Sequence, residues 1–290
     1  MITVDWGSTG FRAWRLDAES RVLERRSAPL GITQLEAGEH GPALQSQVGD
    51  WIGEGETRIL ASGMIGSRNG WVEMPYIDCP ASLADMAKAV RRIDWPGDAE
   101  LWFCPGLSCR DAQGVPDVIR GEEMQVFGLA DEKGDADLCL PGTHSKAVTM
   151  RGGRIIRFAT HFSGELFALL GRHGLLASVL QPQTKPETKA FAEGVARSGE
   201  AGGLLHHLFG VRARGLFGEL SGEAASAYLS GMLIGHELRH HPPSPRLLLV
   251  GEQGLCIRYA DAARLLGRHA EIAPIDAAAR GLHRLSKLLP

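Results

Sequence analysis

The stretch ITVDWGSTGFRAWRL, residues 2–16, decides the fold prediction. Its two apolar-rich runs, Ile2–Trp6 and Phe11–Leu16, flank the turn Gly7-Ser8-Thr9-Gly10. Runs of this length on either side of a Gly-rich turn are typical of a β-hairpin. Together with the next run, Val22–Ser27, they predict a three-stranded antiparallel meander at the start of the chain.

A helix and a further strand follow the meander, which makes the first part of the chain a mixed α/β unit. Leu44, Val48, Trp51 and Ile52 repeat at helical spacing, and the run 58–61 predicts the next strand. Further helices are predicted over residues 82–92, 164–180 and 202–208. After the polar stretch 131–135 the opening pattern returns, with a strand-like run at 137–141, a turn at 142–145 and two more strand-like runs at 146–150 and 154–159. The repetition predicts two related α/β domains, residues 1–132 and 133–290, with the option that the last helix packs back on the first domain.

Composition and charge exclude several classes of protein. The 290 residues carry 31 Lys and Arg against 34 Asp and Glu, a net charge of -3 without a long basic run, which argues against a nucleic-acid partner. Five cysteines stand at unpaired spacings, which favours a reducing, cytoplasmic setting over a secreted disulfide framework. No run of eighteen apolar residues and no leader-like start occurs, so we expect neither export nor a membrane partner. The oligomeric state stays open, with a homodimer as one option.

The turn at the end of the first strand has the composition of a phosphate site. Gly7 lets backbone N–H groups approach an anion, the hydroxyls of Ser8 and Thr9 can donate to phosphate oxygens, and Asp5 can hold a hydrated magnesium ion. An ordinary hairpin turn has the same composition. A second hydroxyl-rich turn, Gly142-Thr143-His144-Ser145, occupies the same place in the second half. Two such turns, one per domain, predict a triphosphate held from both sides of a cleft.

Glu122 and Glu123 follow Arg120-Gly121 at a predicted helix start. Acidic side chains at this position favour the positive end of a helix. The alternative is functional, because a carboxylate beside the cleft can take the proton of an attacking hydroxyl group. The chain has no Walker A motif, which argues against a P-loop solution to ATP binding.

Several motifs occur in a fixed order from residue 2 to about residue 255. They are Asp5-Trp6-Gly7-Ser8-Thr9 with Arg12-Ala13-Trp14, Ser62-Gly63-Met64-Ile65-Gly66-Ser67 with Gly70-Trp71 and Pro75-Tyr76, Arg120-Gly121-Glu122-Glu123, Pro141-Gly142-Thr143-His144-Ser145-Lys146, and Gly164-Glu165-Leu166-Phe167. The ordered set resembles the 2-dehydro-3-deoxygalactonokinases. Because that family belongs to the actin/hexokinase superfamily, the resemblance implies a two-domain α/β fold, with ribonuclease H-like duplicated domains and an interdomain cleft.

The activity implied by the resemblance is ATP-dependent phosphorylation, with Mg²⁺, of the C6 hydroxyl of 2-dehydro-3-deoxy-D-galactonate. The products are 2-dehydro-3-deoxy-6-phosphogalactonate and ADP, a step of D-galactonate breakdown. A related acid such as 2-dehydro-3-deoxygluconate is the alternative substrate, and a non-catalytic nucleotide-gated binding protein of the same fold is the alternative function. Three positions depart from the family pattern: Gly10 replaces Asn, Ala147 replaces an aromatic residue and Ser163 replaces Thr.

The resemblance also implies roles for individual residues. The catalytic carboxylate matches Glu122, with Glu123 as the second candidate, and Asp5 would hold Mg²⁺ through water. The phosphates would be bound by Gly7, Ser8, Thr9, Gly142 and Thr143, with charge on the transferred group stabilised by His144 and Lys146. A solvated Lys146 on the hairpin is the alternative. The nucleotide base would meet a Gly-rich turn after a late strand, which matches the segment from Gly251 to Gly254.

The carboxylate of a sugar acid needs cationic or small polar groups around it. The Gly-rich turn that contains Ser67 and Arg68 suits this role in the first domain. The candidate substrate-binding residues are Arg12, Gly63, Met64, Ser67, Arg68 and Arg120. Arginines on a solvated surface are the alternative interpretation.

One motif points to different chemistry. The segment HELRH, residues 236–240, satisfies the HExxH pattern of zinc peptidases, in which two histidines one turn apart accompany a glutamate base. A Pro-Pro pair at 242–243 ends the helix at once, and no third ligand follows at a familiar spacing. Because His236 continues the apolar face of Met232 and Leu233, we prefer helix packing as the interpretation of this motif.

Overall fold

The computed structural model describes residues 1–129 and 134–290. Unit 1 comprises Met1–Asp135, Thr149–Phe158 and Pro274–Pro290, and unit 2 comprises Ala136–Val148 and Ala159–Ala273. Each unit is compact. The domain boundary predicted after residue 132 lies outside the described residues.

Unit 1 is built on a mixed six-stranded sheet. The strands of this unit are, in chain order, β1 (Ile2–Trp6), β2 (Phe11–Leu16), β3 (Val22–Ala28), β4 (Arg58–Ser62), β5 (Tyr76–Asp78), β6 (Ala81–Ser82), β7 (Arg91–Ile93), β8 (Glu100–Phe103), β9 (Gly106–Arg110) and β10 (Pro116–Ile119). The large sheet has the order β3-β2-β1-β4-β8-β7. Strands β1, β4 and β8 run parallel, while β2, β3 and β7 pair antiparallel with their neighbours. A smaller sheet has the order β10-β9-β5.

The described residues of the two units also form α-helices. They are α1 (His40–Gly53), α2 (Leu83–Ala87), α3 (Glu122–Leu129), α4 (Ser163–Arg172), α5 (Thr188–Arg197), α6 (Gly203–Leu216), α7 (Gly222–His240), α8 (Gln253–Leu265) and α9 (Ala277–Ser286). None of the helices in the described residues is long and apolar enough to cross a membrane.

The core of unit 1 lies between its sheet and α1. The apolar face of this helix, with Leu44, Val48 and Trp51, is buried against side chains of β1 and β4, including Val4 and Ile59. The helical spacing of these three residues therefore predicted the buried face correctly.

Unit 2 repeats the strand order of unit 1. Its strands are β11 (Ala136–Leu140), β12 (Ser145–Arg151), β13 (Arg154–His161), β14 (Leu247–Leu249) and β15 (Ala270–Ile272). They lie in the order β15-β14-β11-β12-β13, which corresponds strand for strand to β8-β4-β1-β2-β3. Strands β11, β14 and β15 run parallel, as β1, β4 and β8 do. Strand β13 begins in unit 1, where Arg154 and Ile155 pair antiparallel with β6, and it ends in unit 2. The duplicated ribonuclease H-like α/β arrangement confirms the predicted fold class.

Most predicted elements are present, and three needed correction. The helix expected over residues 82–92 is only α2, because Arg91–Ile93 pairs with β8 as an edge strand. The helix expected over 164–180 ends at Arg172, since Gly174 adopts a φ of 78° that begins a separate 3₁₀ turn. The helix expected over 202–208 continues to Leu216. Local spacing could not locate the first two ends, because pairing with β8 sets one and the conformation of Gly174 sets the other.

Candidate active site

Asp5 lies near the end of β1 and has little contact with solvent. Its Oδ2 atom accepts a hydrogen bond of 2.6 Å from Nη2 of Arg12, which is its direct partner across the β1–β2 pair. Burial raises the pKa of Asp5, Arg12 lowers it, and the negative charge of Glu122 raises it further. The net pKa is above the usual value. The positive charge of Arg12 therefore does not fully compensate the negative charges of Asp5 and Glu122, and a cation bound beside Asp5 would add to that compensation.

Two glycines form the wall next to Asp5. Gly63 has a φ of 94°, and a Cβ atom there would lie 2.7 Å from the carbonyl oxygen of Trp6 and 3.0 Å from Oδ1 of Asp5. Gly121 has a φ of 105°, and its Cβ would lie 3.1 Å from Cα of Gly63. A side chain at either position would be strained by its backbone conformation and crowded by its neighbours. Glycine at both positions lets the backbone before α3 approach the carboxylate of Asp5.

The two glutamates at the start of α3 have different environments. Glu123 is fully buried, and both of its carboxyl oxygens accept from the N–H group of Gly121, at 2.8 and 2.7 Å. Burial raises the pKa of Glu123 to about 8, and repulsion from Glu122 adds to this effect. Glu122 is only half-buried, and its Oε2 atom accepts from the N–H group of Arg120 at 3.0 Å. At neutral pH, Glu123 is mainly protonated.

Arg120 carries a buried guanidinium group with unused donors. Its Nη2 atom donates to the carbonyl oxygen of Met74 at 2.8 Å, and the group stacks 4.2 Å above the ring of Tyr76. Its Nε and Nη1 atoms are buried and have no hydrogen-bond partner among the described residues, and the same holds for Oγ of Ser67. The position of a Cβ on Gly66 would be only 3.3 Å from Nη1 of Arg120, so the guanidinium lies against the segment that carries Ser67.

The remaining candidates in unit 1 lie in the first hairpin or in the turn that contains Arg68. The first hairpin closes through a 2.9 Å hydrogen bond from the N–H group of Gly7 to the carbonyl oxygen of Gly10, and the hydroxyl of Thr33 donates to the carbonyl oxygen of Ser8. Thr9 and Arg68 are exposed, and Met64 is half-buried in a 3₁₀ turn. The roles predicted for these residues stay predictions.

The second hairpin of the chain, whose turn is residues 142–145, lies in unit 2 and contacts the segment that begins α4. The N–H group of Glu165 donates to the carbonyl oxygen of Thr143 at 2.9 Å, and a Cβ on Gly164 would lie 2.2 Å from the carbonyl oxygen of Gly142. His144 is exposed, and its Nε2 atom pairs with Oε2 of Glu165 at 2.5 Å.

The side chain of Lys146 is buried rather than solvated. Its Nζ atom donates to the carbonyl oxygen of His144 at 2.6 Å, and only 5% of the residue surface is exposed. This contact attaches the ammonium group to the backbone of the turn 142–145. Its predicted role in charge stabilisation stays a prediction.

A cavity of about 350 Å³ lies beside this hairpin in unit 2. Its lining includes Gly142, Ser163, Gly164, Glu252, Gly254, Arg258 and Tyr259. Glu252 caps α8, because its carboxylate accepts from the N–H groups of Gly254 and Leu255. Gly251 has a φ of 153°, and its Cβ would lie 3.1 Å from the carbonyl oxygen of Pro141. The structure thus brings the second hairpin and the late Gly-rich turn to one cavity.

Arg258 and Tyr259 also line this cavity but were not among the predicted site residues. They lie four and five positions after Gly254 on α8. Helical spacing from that predicted glycine is the signal that could have found them.

The HExxH segment does not form a zinc-peptidase site. Nδ1 of His240 donates to the carbonyl oxygen of His236 at 2.7 Å, and the two imidazole rings lie 4.7 Å apart. Glu237 instead contacts Ser145 and Tyr259 inside unit 2. The helix ends at His240, as expected from the two prolines that follow.

Comparisons with known proteins cover nearly the whole chain. A family model described as "2-keto-3-deoxy-galactonokinase" matches residues 5–285. A 2-dehydro-3-deoxygalactonokinase of Escherichia coli (strain K12) is 34% identical over 270 residues, which cover 92% of this chain and 90% of the relative. A protein of Rhizobium meliloti (strain 1021), provisionally named as the same kinase, is 36% identical over 287 residues, which cover 96% of this chain and 93% of the relative.

A solved structure agrees with these matches. A crystal structure from Sinorhizobium meliloti, provisionally described as a 2-dehydro-3-deoxygalactonokinase, superimposes with a TM-score of 0.87. The two chains are 32% identical, and the match covers 99% of this chain and 98% of the other. Sequence and structure comparisons therefore point to one family.

Proposed function

The chain belongs to the 2-keto-3-deoxy-galactonokinase family, and from this premise we propose that it transfers the terminal phosphoryl group of ATP to the C6 hydroxyl of 2-dehydro-3-deoxy-D-galactonate. One observation carries the assignment of the site. In unit 1, the carboxylates of Asp5 and Glu122 lie close enough to repel each other, and the backbone at Gly121 lies against Asp5. Arg120, in the same segment before α3, has two buried guanidinium nitrogens without a partner among the described residues.

The acceptor carboxylate pairs with Arg120 in this proposal. Guanidinium groups bind carboxylates through two parallel hydrogen bonds, and such charge-assisted bonds are the strong ones. Nε and Nη1 lie on different edges of the Arg120 guanidinium, and each provides a donor without a partner among the described residues. One of them can form such a pair with the second N–H of Nη2, whose first N–H donates to Met74. Oγ of Ser67 is a further polar atom without a partner in the described part of the chain. A buried donor without a partner costs free energy, so a ligand that satisfies these donors gains affinity from them.

Glu122 is the group that receives the proton of the acceptor hydroxyl. Phosphoryl transfer passes through a loose transition state, so alignment of the two oxygens contributes more than base strength. Glu122 is half-buried and can face a ligand, whereas both oxygens of Glu123 are held by Gly121. Glu123 is therefore a positioning residue, which fixes the backbone that lies against Asp5.

The residues of unit 1 fit a hydrated magnesium ion. Asp5 is an oxygen ligand whose pKa is raised by burial and by Glu122, so its negative charge is under-compensated. Mg²⁺ keeps several waters and takes one or two carboxylates from the protein. When bound with ATP, the ion neutralises charge on the phosphate oxygens. Asp5 would hold it through water, and Arg12 keeps the carboxylate in place.

The nucleotide occupies the cavity of unit 2 in this proposal. The second hairpin offers Gly142 and Thr143 to the phosphates, and the turn from Gly251 to Gly254 receives the base. Close backbone approach at Gly164 and Gly251 leaves the cavity open to a ligand rather than filled by side chains. Backbone N–H groups in such glycine-rich turns are suited to anions.

The test is ADP production by the purified protein with ATP and Mg²⁺. Three conditions are compared: 2-dehydro-3-deoxy-D-galactonate, its gluconate epimer, and no acceptor. Turnover with the galactonate alone supports the proposal, while similar rates with both acids would replace it by a kinase of broader specificity. Nucleotide binding without acceptor-dependent ADP would instead support the non-catalytic binding protein.

A further inference from the structure

Glu237 is a buried carboxylate to which the proposed function assigns no role. It lies on α7, near the helix end, and only 1% of its surface is exposed. The side chain points into unit 2, away from the two histidines of the HExxH segment. A charged group in this position must be compensated by hydrogen bonds, because an unpaired buried charge is strongly destabilising.

Three hydroxyl groups surround this carboxylate. Ser145 donates to Oε1 at 2.6 Å, and Tyr259 donates to Oε2 at 2.7 Å. The side chain of Ser163 also hydrogen-bonds to it. The thiol of Cys139 is a fourth, weaker donor, with Sγ 3.7 Å from Oε1. Both carboxylate oxygens are therefore occupied by side chains from other elements.

The network keeps Glu237 ionised inside the protein. Burial raises the pKa of Glu237, but the nearby imidazole of His241 and hydrogen bonds from Ser145, Ser163 and Tyr259 more than offset burial, so the pKa lies below its usual value. Nε2 of His241 lies 3.4 Å from Oε1. Charge-assisted hydrogen bonds are stronger than neutral ones, so this carboxylate holds the donating side chains firmly in position.

The three hydroxyls come from three different elements of unit 2. Ser145 ends the turn 142–145 and is the first residue of β12. Ser163 begins α4, which holds that hairpin through Gly164. Tyr259 lies on α8, which begins just after the turn at Gly251. Ser163 and Tyr259 also line the cavity themselves.

We propose that Glu237 is a positioning residue for the nucleotide. Its carboxylate accepts hydrogen bonds from hydroxyl groups of β12, α4 and α8 and so fixes these three elements relative to one another. The inference rests on the proposed function, because it assigns the cavity of unit 2 to the nucleotide. Glu237 does not touch the ligand. It acts through Ser145, Ser163 and Tyr259.

A metal ion is the competing explanation for the same residues. Atoms of Cys139, Glu237 and His241 lie within 4.8 Å of one another, and zinc binds these three residue types. The contacts favour hydrogen bonding instead, since hydroxyl groups already occupy both oxygens of Glu237. Burial also raises the pKa of Cys139 well above its usual value, so its sulfur is a neutral thiol and not the thiolate that zinc prefers.

The experiment measures ADP affinity, with Mg²⁺, by calorimetry on the full chain and two variants. Glu237→Gln removes the charge and keeps the size of the side chain, and we expect ADP binding to weaken by about tenfold with a similar rise in KM for ATP. Tyr259→Phe removes one donor and keeps the ring, and we expect a loss of about threefold. KM for the sugar acid should stay within about twofold in both variants, because the acid is assigned to unit 1.

Ser226→Ala is the matched control. Ser226 lies on the same helix and is buried, and its hydroxyl donates to the carbonyl oxygen of Gln181 at 2.7 Å, away from the cavity lining. This variant should lose thermal stability without a change in ADP affinity. If Glu237→Gln and Tyr259→Phe bind ADP as tightly as the unmodified protein, the carboxylate is merely structural and the inference is wrong. Stoichiometric zinc in the purified protein that is lost in Glu237→Gln would overturn it in favour of a metal site.

Failure of this inference can be told apart from failure of the proposed function. If the unmodified protein neither binds ADP nor phosphorylates the acid, both fail together. If it does both and the two variants match it, only the role of Glu237 is rejected.

Discussion

Two adjacent glutamates begin α3, and only Glu123 is fully buried. Its carboxyl group is occupied by the N–H group of Gly121, while Glu122 is half-buried beside Asp5. The sequence alone favoured Glu122 as the base by analogy with a superfamily. The structure adds a physical reason, because a group that is protonated at neutral pH and bound on both oxygens is poorly suited to receive a proton.

This difference predicts the kinetics of two matched substitutions. Glu122→Gln should lower kcat by about 10²- to 10⁴-fold, the usual contribution of a general base. Glu123→Gln should lower it by less than about tenfold, because an amide resembles the protonated carboxyl and still accepts from Gly121. Steady-state kinetics at saturating ATP checks both. The opposite order of losses would make Glu123 the base.

Glu123 also predicts a pH dependence of stability. Its pKa is about 8 in the folded protein against an ordinary 4.5, so the folded state binds the proton more tightly. The stabilisation that results is complete below about pH 4.5 and is lost as pH rises through about 8, with an upper limit of roughly 5 kcal/mol. Urea unfolding between about pH 5 and about pH 9 should show a steeper decline for the unmodified protein than for Glu123→Gln. Parallel profiles would mean that Glu123 ionises normally.

The assignment of Arg120 predicts a substrate-specific loss. Arg120→Lys keeps the charge but removes the planar pair of donors, so KM for the sugar acid should rise by about tenfold or more. KM for ATP should stay within about twofold, because the nucleotide is assigned to unit 2. The exposed Arg91 on β7 provides the control, and Arg91→Lys should leave both constants nearly unchanged. Equal effects of the two substitutions would remove Arg120 from the acceptor site.

At the scale of the elements, the position of the glutamates depends on how α3 packs against α9. These helices approach so closely that a Cβ on Gly281 would lie 1.9 Å from the carbonyl oxygen of Met124, and a Cβ on Gly128 would lie 1.8 Å from that of Ala277. Small residues at a crossing point let two backbones come together. Helix α9 therefore sets the position of the segment that begins with Glu122.

Gly281→Ala should consequently impair both stability and catalysis. The added methyl group must push α3 and α9 apart, at a cost of about 3 kcal/mol, and the shift should lower kcat together with the melting temperature. Gly210→Ala is the control on α6, where nothing lies within 4 Å of the new Cβ. That variant should gain up to about 1 kcal/mol from helix propensity. A Gly281→Ala protein as stable as the Gly210→Ala protein would show that the crossing tolerates the extra atoms.

The elements also show what could be predicted from the sequence. Strands β1, β2 and β3 and the buried face of α1 follow from short-range patterns, and their predicted bounds agree closely with the structure. The short strands β5, β6, β7, β9 and β10 were missed, and β5 and β6 depend on pairing with partners far along the chain. In the site, the composition of the two hydroxyl-rich turns predicts phosphate binding, and this role stays a prediction. The contacts of Glu237 could not be predicted in this way, since its partners come from β12, α4 and α8.

At the scale of the whole molecule, the chain crosses between its two units more than once. Unit 1 is assembled from three segments, Met1–Asp135, Thr149–Phe158 and Pro274–Pro290. The last segment carries α9, in which Leu282 and Leu285 are fully buried. Trp14 donates through Nε1 to Asp276 at 2.7 Å, which ties this segment to β2. Folding of unit 1 therefore has to include the end of the chain.

This arrangement predicts that a chain ending at residue 273 loses unit 1. Removal of α9 exposes the face of β1, β2 and α3 on which it packs, and burial of Leu282 and Leu285 alone contributes about 3 to 6 kcal/mol. That loss is comparable with the whole stability of a typical domain. Calorimetry of residues 1–273 should show one transition fewer than the full chain, or a large fall in the first, and addition of a peptide of residues 274–290 should restore part of it. Because Asp5, Arg120 and Glu122 all lie in unit 1, the shortened protein should also lose kinase activity while ADP still binds to unit 2. A shortened chain that keeps both its melting profile and its turnover would show that the first segment folds without α9.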